Sequence, residues 1–67
     1  MDNRQIGRFI AACRKEKGLT QRELGERLHV TDRAVSKWET GKGFPDISLI
    51  EPLANVLQVS IPELLAG

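Results

Sequence analysis

The strongest constraint on this chain is the short distance between two consecutive helix starts. Thr20-Gln21-Arg22-Glu23 is a capping box, in which the threonine hydroxyl and the glutamate carboxylate each bond a backbone amide that the helix leaves unpaired. A second N-cap residue, Thr31, follows soon after. The first of these helices is predicted to run to about Leu28, which leaves about three residues before the next one. So short a connection makes the two helices pack against each other at a steep angle.

The segment before this pair also has the spacing of a helix. Its apolar residues recur at intervals of three and four, which places them on one helical face. Asn3 or Asp2 can cap its start, and Gly18 lies where a left-handed C-terminal residue belongs. The predicted apolar face contains Ile6, Phe9, Ile10 and Cys13. As the single cysteine, Cys13 cannot form an internal disulfide, and we expect it to be a small core residue.

The C-terminal part carries two further helix starts. Asp46 can cap a fourth helix, but Pro52 leaves its extent open: the proline lies either inside the helix or in the first turn of a helix that starts near Glu51. Ser60-Ile61-Pro62-Glu63 is another capping box, and the last helix is predicted to end at Gly67. The core face of the fourth helix contains Ile50, Leu53, Ala54 and Leu57.

The fold class follows from these elements and from the length. No alternating strand pattern occurs, and 67 residues suffice for one domain at most. We therefore predict an all-α, compact bundle of about five short helices that forms a single domain over residues 1–67. No apolar run approaches the roughly 20 residues that span a bilayer, and no signal peptide is recognisable, so a cytoplasmic protein is expected.

Catalysis and metal binding find no support in the sequence. His29 is the only histidine, and it has no companions at metal-ligand spacing. No paired acids, no nucleophile with a base and no cofactor loop are present. We predict that the chain is not an enzyme and holds no metal and no cofactor.

Charge is distributed unevenly along the chain. Residues 1–43 hold all ten Lys and Arg and six acidic residues, a net charge of +4. Residues 44–67 hold three acidic residues and no Lys or Arg, a net charge of −3. Such asymmetry indicates a surface that faces a polyanion, although a solvated charged face is the alternative explanation.

Four residues of the central helix pair are expected to hold it together. Leu24 faces the core from the first helix, and Gly25 is small because the second helix crosses close to it. Val35 and Trp38 anchor the second helix to the core. His29 lies at the turn between them, where a positive φ is usual and where histidine is tolerated better than most residues.

The side chains that the core does not use point outward from the second helix of the pair. Such a polar, exposed helix face suits the major groove of DNA. There Arg and Lys can donate hydrogen bonds to guanine O6 and N7, serine can contact several bases, and aspartate can accept from the cytosine amino group. Asp32 has a second, equally weighted explanation, because an acid in the first turn also interacts favourably with the helix dipole. Asp32, Arg33, Ser36 and Lys37 are the side chains on this face that suit contacts with base edges.

Phosphate contacts are expected on both sides of this helix. The start of the earlier helix, at Thr20 and Gln21, presents backbone amides that can hold a phosphate. Arg22, Thr40 and Lys42 lie where they could hold flanking phosphates.

These features together resemble the Cro and phage-repressor type of helix-turn-helix, also called the xenobiotic-response-element group of bacterial regulators. The resemblance extends from Ile6 to Gly67, and His29 departs from it, because glycine or asparagine is commoner at that turn. The residues that carry it are the entry Gly18-Leu19-Thr20-Gln21, Leu24 with Gly25, Val35 with Trp38, the exit Glu39-Thr40-Gly41 and the cap Val59-Ser60.

The resemblance implies a lambda-repressor-like fold with the helix-turn-helix at about residues 20–40. It also implies sequence-specific binding of double-stranded DNA by a transcriptional regulator, a repressor by expectation, with the recognition helix 31–40 in the major groove. Members often pair an arginine at the position of Arg14 with a glutamate at the position of Glu39, so a partly buried ion pair is expected here.

The family further implies a homodimer, at least on DNA. The acidic residues 44–67 are then the expected dimer or partner side, because they carry no Lys or Arg for DNA. It leaves open whether such a chain stands alone or precedes a C-terminal effector domain. A protein-interaction module, antitoxin-like or adaptor, is the competing hypothesis. Such a module has no need of Arg33 and Lys37 on one face together with Gln21 at a helix start.

Overall fold

The computed structural model describes residues 2–67, which form five helices joined by short loops and contain no strand. The predicted all-α bundle is confirmed, and the helices pack around one core in which α3 contacts both α1 and α2. The helix predicted to run to about Thr40 ends at Glu39, and Thr40 is its C-cap. The helices are α1 (Asn3–Glu16), α2 (Gln21–Leu28), α3 (Asp32–Glu39), α4 (Ile47–Leu57) and α5 (Ile61–Ala66).

Every helix begins at a side chain that caps its free amides. Asp2, and not Asn3, caps α1, because its carboxylate accepts from the Arg4 amide at 2.9 Å. Both predicted capping boxes form, at the starts of α2 and α5. In each box a backbone amide donates to the glutamate, and this hydrogen bond holds the pKa of Glu23 and of Glu63 below its ordinary value.

Pro52 lies inside α4, which settles the open question about that helix. Asp46 caps α4, which runs from Ile47 to Leu57 without interruption. The proline has no N–H to donate to the Ser48 carbonyl one turn earlier. Both residues are exposed, so water can satisfy the freed carbonyl and the helix continues.

The core takes its residues from all five helices. Leu24, Val35 and Trp38 are buried as predicted, while Phe9 and Cys13 lie at the core edge and are half-buried. Burial raises the pKa of the Cys13 thiol. The buried apolar residues are Ile6, Ile10, Leu24, Leu28, Val35, Trp38, Ile50, Leu53, Ala54, Leu57 and Leu64.

Two glycines allow close backbone packing. A Cβ atom at Gly25 would lie 2.7 Å from the Val30 carbonyl oxygen, so the small residue expected here makes room for the backbone that enters α3. A Cβ atom at Gly7 would lie 2.2 Å from the Trp38 carbonyl oxygen, where α1 crosses the end of α3. The role of Gly7 was not predictable from the sequence, because this residue occupies no recognised turn or cap.

Within residues 2–67, two non-glycine residues adopt the left-handed conformation. His29, between α2 and α3, has φ of 59°, as predicted for the turn. Gln58, at the end of α4, also has φ of 59°, which the sequence did not indicate. Its side-chain carbonyl accepts a hydrogen bond from the Lys17 ammonium, which joins the end of α4 to the end of α1.

Candidate nucleic-acid interface

The outer face of α3 carries the residues predicted to contact bases. Asp32, Arg33 and Lys37 are exposed, and Ser36 is half-buried. They share one face because the opposite face of α3 is anchored in the core by Val35 and Trp38. The structure therefore brings the four side chains together on a surface that packing leaves free.

The start of α2 offers fewer free amides than expected. The Thr20 amide donates to Glu23 Oε1 at 2.9 Å, so it is not available to a phosphate, contrary to the expectation from the sequence. The amides of Gln21 and Arg22 donate no hydrogen bond within residues 2–67. The Thr20 hydroxyl accepts from the Glu23 amide and keeps its own proton for a phosphate oxygen.

The Arg22 guanidinium is available to DNA despite an ion pair. Its Nε lies 3.6 Å from Glu26 Oε2 one turn along α2, and both side chains are largely exposed. An exposed pair of this kind contributes at most about 1 kcal/mol, so a phosphate can displace the glutamate. Glu26 also lines, with Arg22 and Asp32, an open cleft of about 390 Å³ between α2 and the start of α3.

The end of α3 carries the other predicted phosphate contacts. The Thr40 hydroxyl donates to the Ser36 carbonyl at 2.9 Å, so it must rotate before it can donate to a phosphate. The Lys42 amide donates to the Lys37 carbonyl at 2.9 Å, which folds the following loop back onto the helix. The Lys42 side chain is exposed.

The predicted ion pair between α1 and α3 is present and nearly buried. Arg14 Nε donates to Glu39 Oε2 at 2.6 Å, and Nη2 donates to Oε1 at 3.0 Å. The exposed fractions of the two side chains are 10% and 6%. The side-chain hydrogen bond to Glu39 raises the pKa of Arg14 above its ordinary value, so the guanidinium keeps its charge in this nearly buried position.

This pair is part of a larger hydrogen-bond network that the sequence did not indicate. Arg14 Nη1 donates to the Leu19 carbonyl at 2.7 Å, and Gln21 Nε2 donates to Glu39 Oε1 at 3.0 Å. The network therefore fixes the start of α2 relative to the end of α3. Gln21, predicted as a phosphate contact, has one side-chain hydrogen committed to Glu39 and presents its backbone amide outward.

The chain matches the family model described as helix-turn-helix over residues 10–64. It belongs to the Cro and phage-repressor type of that family. Its fold superposes on the P22 c2 repressor, solved in complex with a synthetic operator, with a TM-score of 0.84. The two are 32% identical, and the match covers 88% of this chain and 89% of the repressor chain.

Other regulators are similar over most of this chain. The HTH-type transcriptional activator BcrR of Enterococcus faecalis is 44% identical over 58 residues, which cover 87% of this chain. The structure of the clp gene regulator ClgR from Corynebacterium glutamicum matches with a TM-score of 0.87 and 26% identity, over 98% of this chain and 70% of that one. The chain spans only 28% of BcrR, and between 28% and 57% of the first three curated relatives.

Two further properties of the described residues bear on the site. None of the helices in residues 2–67 is long and apolar enough to cross a membrane. The same residues contain no group of three or more His, Cys, Asp or Glu side chains that could hold a metal ion.

Proposed function

We propose that this chain binds double-stranded DNA in a sequence-specific manner and regulates transcription, as a repressor. Recognition helix α3 enters the major groove, and Asp32, Arg33, Ser36 and Lys37 contact base edges. Phosphates on either side are held by Thr20, Gln21, Arg22, Thr40 and Lys42. The observation that carries the proposal is the polar outer face of α3, free of any packing role, in a fold shared with a repressor solved on its operator.

The proposal is tested by selecting bound sequences from a random duplex library at physiological salt. We expect enrichment of a two-fold symmetric motif with half-sites about one helical turn, roughly 34–36 Å, apart. A reporter gene under that motif then gives the direction of regulation, and lowered expression supports a repressor. Failure to enrich any sequence would contradict the proposal.

Two variants separate base contacts from phosphate contacts. Arg33→Ala is expected to lose roughly 1–3 kcal/mol of binding free energy at one base position and to relax specificity there. Lys42→Ala is expected to weaken binding to all duplexes and to lower the slope of log K against log salt by about one. Lys17→Ala is the control, because Lys17 bonds Gln58 at the end of α4, away from α3. Equal effects of all three variants would contradict the docking geometry.

We further propose that two copies bind the operator as a homodimer. The molecule extends 25 × 23 × 22 Å, so one copy reaches one major groove, and two adjacent copies reach two successive grooves. Residues 44–67 contain no Lys or Arg, which disfavours contact of this segment with DNA and leaves it for a partner.

An apolar groove in this segment supports a second copy as the partner. The groove has a volume of about 370 Å³, and its rim carries the two large apolar side chains that are most exposed in the described chain, Ile47 at 87% and Ile61 at 37%. A projecting isoleucine beside an apolar groove is self-complementary, which is what an isologous two-fold interface requires. The groove is lined by Phe44, Pro45, Ile47, Ile50, Ile61 and Leu65.

Ile47→Glu tests this interface. We expect it to abolish the dimer, so that sedimentation equilibrium with the selected duplex shows two half-sites that are filled independently, where the wild-type chain fills them cooperatively. Asn55→Glu adds the same charge at an exposed position of α4 outside the groove and should leave the dimer intact. A dimer that survives Ile47→Glu contradicts this interface, and a wild-type chain that stays monomeric on DNA favours a different protein as the partner.

The proposal assigns no catalytic step to this chain. A regulator of this kind acts by occupying its site on DNA. We therefore place it in the bacterial cytoplasm, and on the nucleoid when it is bound. The protein-interaction function remains the second candidate, and a wild-type chain that stays monomeric on the selected duplex would favour it.

A further inference from the structure

The start of α1 lies directly against the loop that leaves the recognition helix. A Cβ atom at Gly41 would lie 2.7 Å from Arg4 Cγ and 3.1 Å from Arg4 Cα. Gly41 has φ of 77° and stands between Thr40 and Lys42, two of the proposed phosphate contacts. Arg4 is therefore placed beside that end of the interface by backbone packing, and not by the reach of a mobile side chain.

Three exposed cations gather at this place: Arg4, Lys37 and Lys42, which we call the α3-exit cluster. The amides of Lys42 and Gly43 both donate to the Lys37 carbonyl, so the loop holds these two lysines at the end of α3. Arg4 joins them from α1. The cluster thus connects a proposed base contact, Lys37, with a proposed phosphate contact, Lys42, and continues onto α1.

No acidic side chain forms an ion pair with the α3-exit cluster. The ion pairs within residues 2–67 are Arg14–Glu39 and Arg22–Glu26, and neither includes a cation of the cluster. Glu39, the nearby acid on α3, is occupied by Arg14 and Gln21. Asp2 lies close to Arg4 in the chain, but its carboxylate caps α1 through backbone amides.

The negative end of the α3 dipole favours cations here, and three basic residues close together raise the local positive potential, which attracts a polyanion. Duplex DNA supplies phosphates on both sides of the groove that a recognition helix enters. We propose that Arg4 contacts a backbone phosphate of the bound duplex, so that the interface extends from the helix-turn-helix onto the start of α1. This inference rests on the proposed function.

The test is the salt dependence of DNA binding by Arg4→Gln, measured with the duplex that the library selection yields. Glutamine keeps the Cγ contact with Gly41 and removes only the charge. We expect weaker binding to matched and mismatched duplexes alike and a slope of log K against log salt that falls by about one, as for Lys42→Gln. The double variant should lower the slope by about two.

Lys17→Gln is the charge-matched control, because Lys17 lies at the opposite end of α1 and bonds Gln58. It should leave the slope unchanged, and circular dichroism melting should show that all variants remain folded. An unchanged slope for Arg4→Gln beside a lowered slope for Lys42→Gln would overturn the Arg4 contact alone. A wild-type chain that binds no duplex would overturn the proposed function and this inference together.

Discussion

At Gly7 the backbones of α1 and α3 are so close that a single methyl group has no room. Replacement by alanine would raise helix propensity by about 1 kcal/mol, yet its Cβ would meet the Trp38 and Glu39 carbonyl oxygens, which cannot move without shifting a helix. We expect Gly7→Ala to lower the free energy of unfolding by about 3 kcal/mol, the upper end of overpacking costs. Urea denaturation followed by circular dichroism measures this.

Gly43→Ala is the matched control for the Gly7 variant. A Cβ atom at Gly43 would meet only the Lys37 Cβ atom at 3.6 Å, an ordinary contact. Its effect should stay within about 0.5 kcal/mol. If Gly7→Ala were equally harmless, the close crossing of α1 and α3 would be wrong.

The Arg14–Glu39 pair gives a second prediction at the scale of single residues. Glu39→Lys would leave two cations in a site where both wild-type side chains are at least nine-tenths buried. We expect the free energy of unfolding to fall by about 3–5 kcal/mol, because removal of one partner leaves a buried charge uncompensated. Glu26→Lys breaks the exposed pair with Arg22 and should cost less than about 1 kcal/mol. A melting curve unchanged by Glu39→Lys would refute the structural role of the pair.

The role of a residue was predictable where local sequence spacing determined it. Helical spacing predicted the burial of Leu24, Val35 and Trp38, and the short turn predicted the positive φ of His29. The hydrogen bond from Gln21 to Glu39 was not predictable, because only the folded chain brings these two residues together. The DNA contacts of α3 stay predictions, since exposure shows which side chains are free and not which bases they meet.

Among the helices, the capping carboxylates make stability depend on pH. Glu23, Glu63 and Asp46 have pKa values below their ordinary values of 4.5, 4.5 and 3.8, because each accepts hydrogen bonds at a helix start. Above those ordinary values the carboxylates are ionised in the folded and unfolded chain alike, and the caps contribute in full. As the pH falls below these ordinary values, the unfolded chain binds protons before the folded chain does, so the free energy of unfolding decreases. The stabilisation from the caps is lost completely once the pH has passed below the pKa values of the folded chain.

Urea denaturation at pH 6 and at pH 3 measures this loss. The double variant Glu23→Gln/Glu63→Gln should be less stable than wild type at pH 6 and should lose less stability on acidification. Glu51→Gln, which removes a carboxylate that caps no helix, serves as the control. A double variant with the same acid sensitivity as wild type would mean that the capping boxes do not carry the effect.

Helix starts were easier to predict than helix interiors and ends, for a physical reason. A cap is a local bond between residues two or three apart, so Asp46, Thr20 and Ser60 reveal it in sequence. Pro52 is different, because a proline in a second turn is tolerated only where the freed carbonyl reaches water, and exposure is a property of the whole fold. Gln58 likewise adopts a positive φ with no local residue signal, at a position where its side chain meets Lys17 from α1.

In the whole molecule, the basic and the acidic parts of the sequence contain different proposed surfaces. The basic residues 1–43 contain α3, both proposed phosphate-binding ends and the α3-exit cluster. The acidic residues 44–67 contain the apolar groove. The proposed DNA-binding surface and the groove proposed for a second copy therefore lie in different parts of the chain, and the net charge of +1 is the sum of their opposite charges.

Because so small a domain has little stability to spare, binding of the selected duplex should be visible in its melting temperature. A ligand at about 100 times its Kd stabilises the folded state by about 2.7 kcal/mol, and each 1 kcal/mol shifts Tm by roughly 4–8 °C in a domain of this size. We therefore expect the selected duplex to raise Tm by about 10–20 °C. Tryptophan fluorescence of Trp38, the single buried reporter, follows the transition. A scrambled duplex should give a smaller shift that disappears at high salt, because only phosphate contacts remain. Equal shifts from both duplexes at physiological salt would mean that α3 reads no sequence.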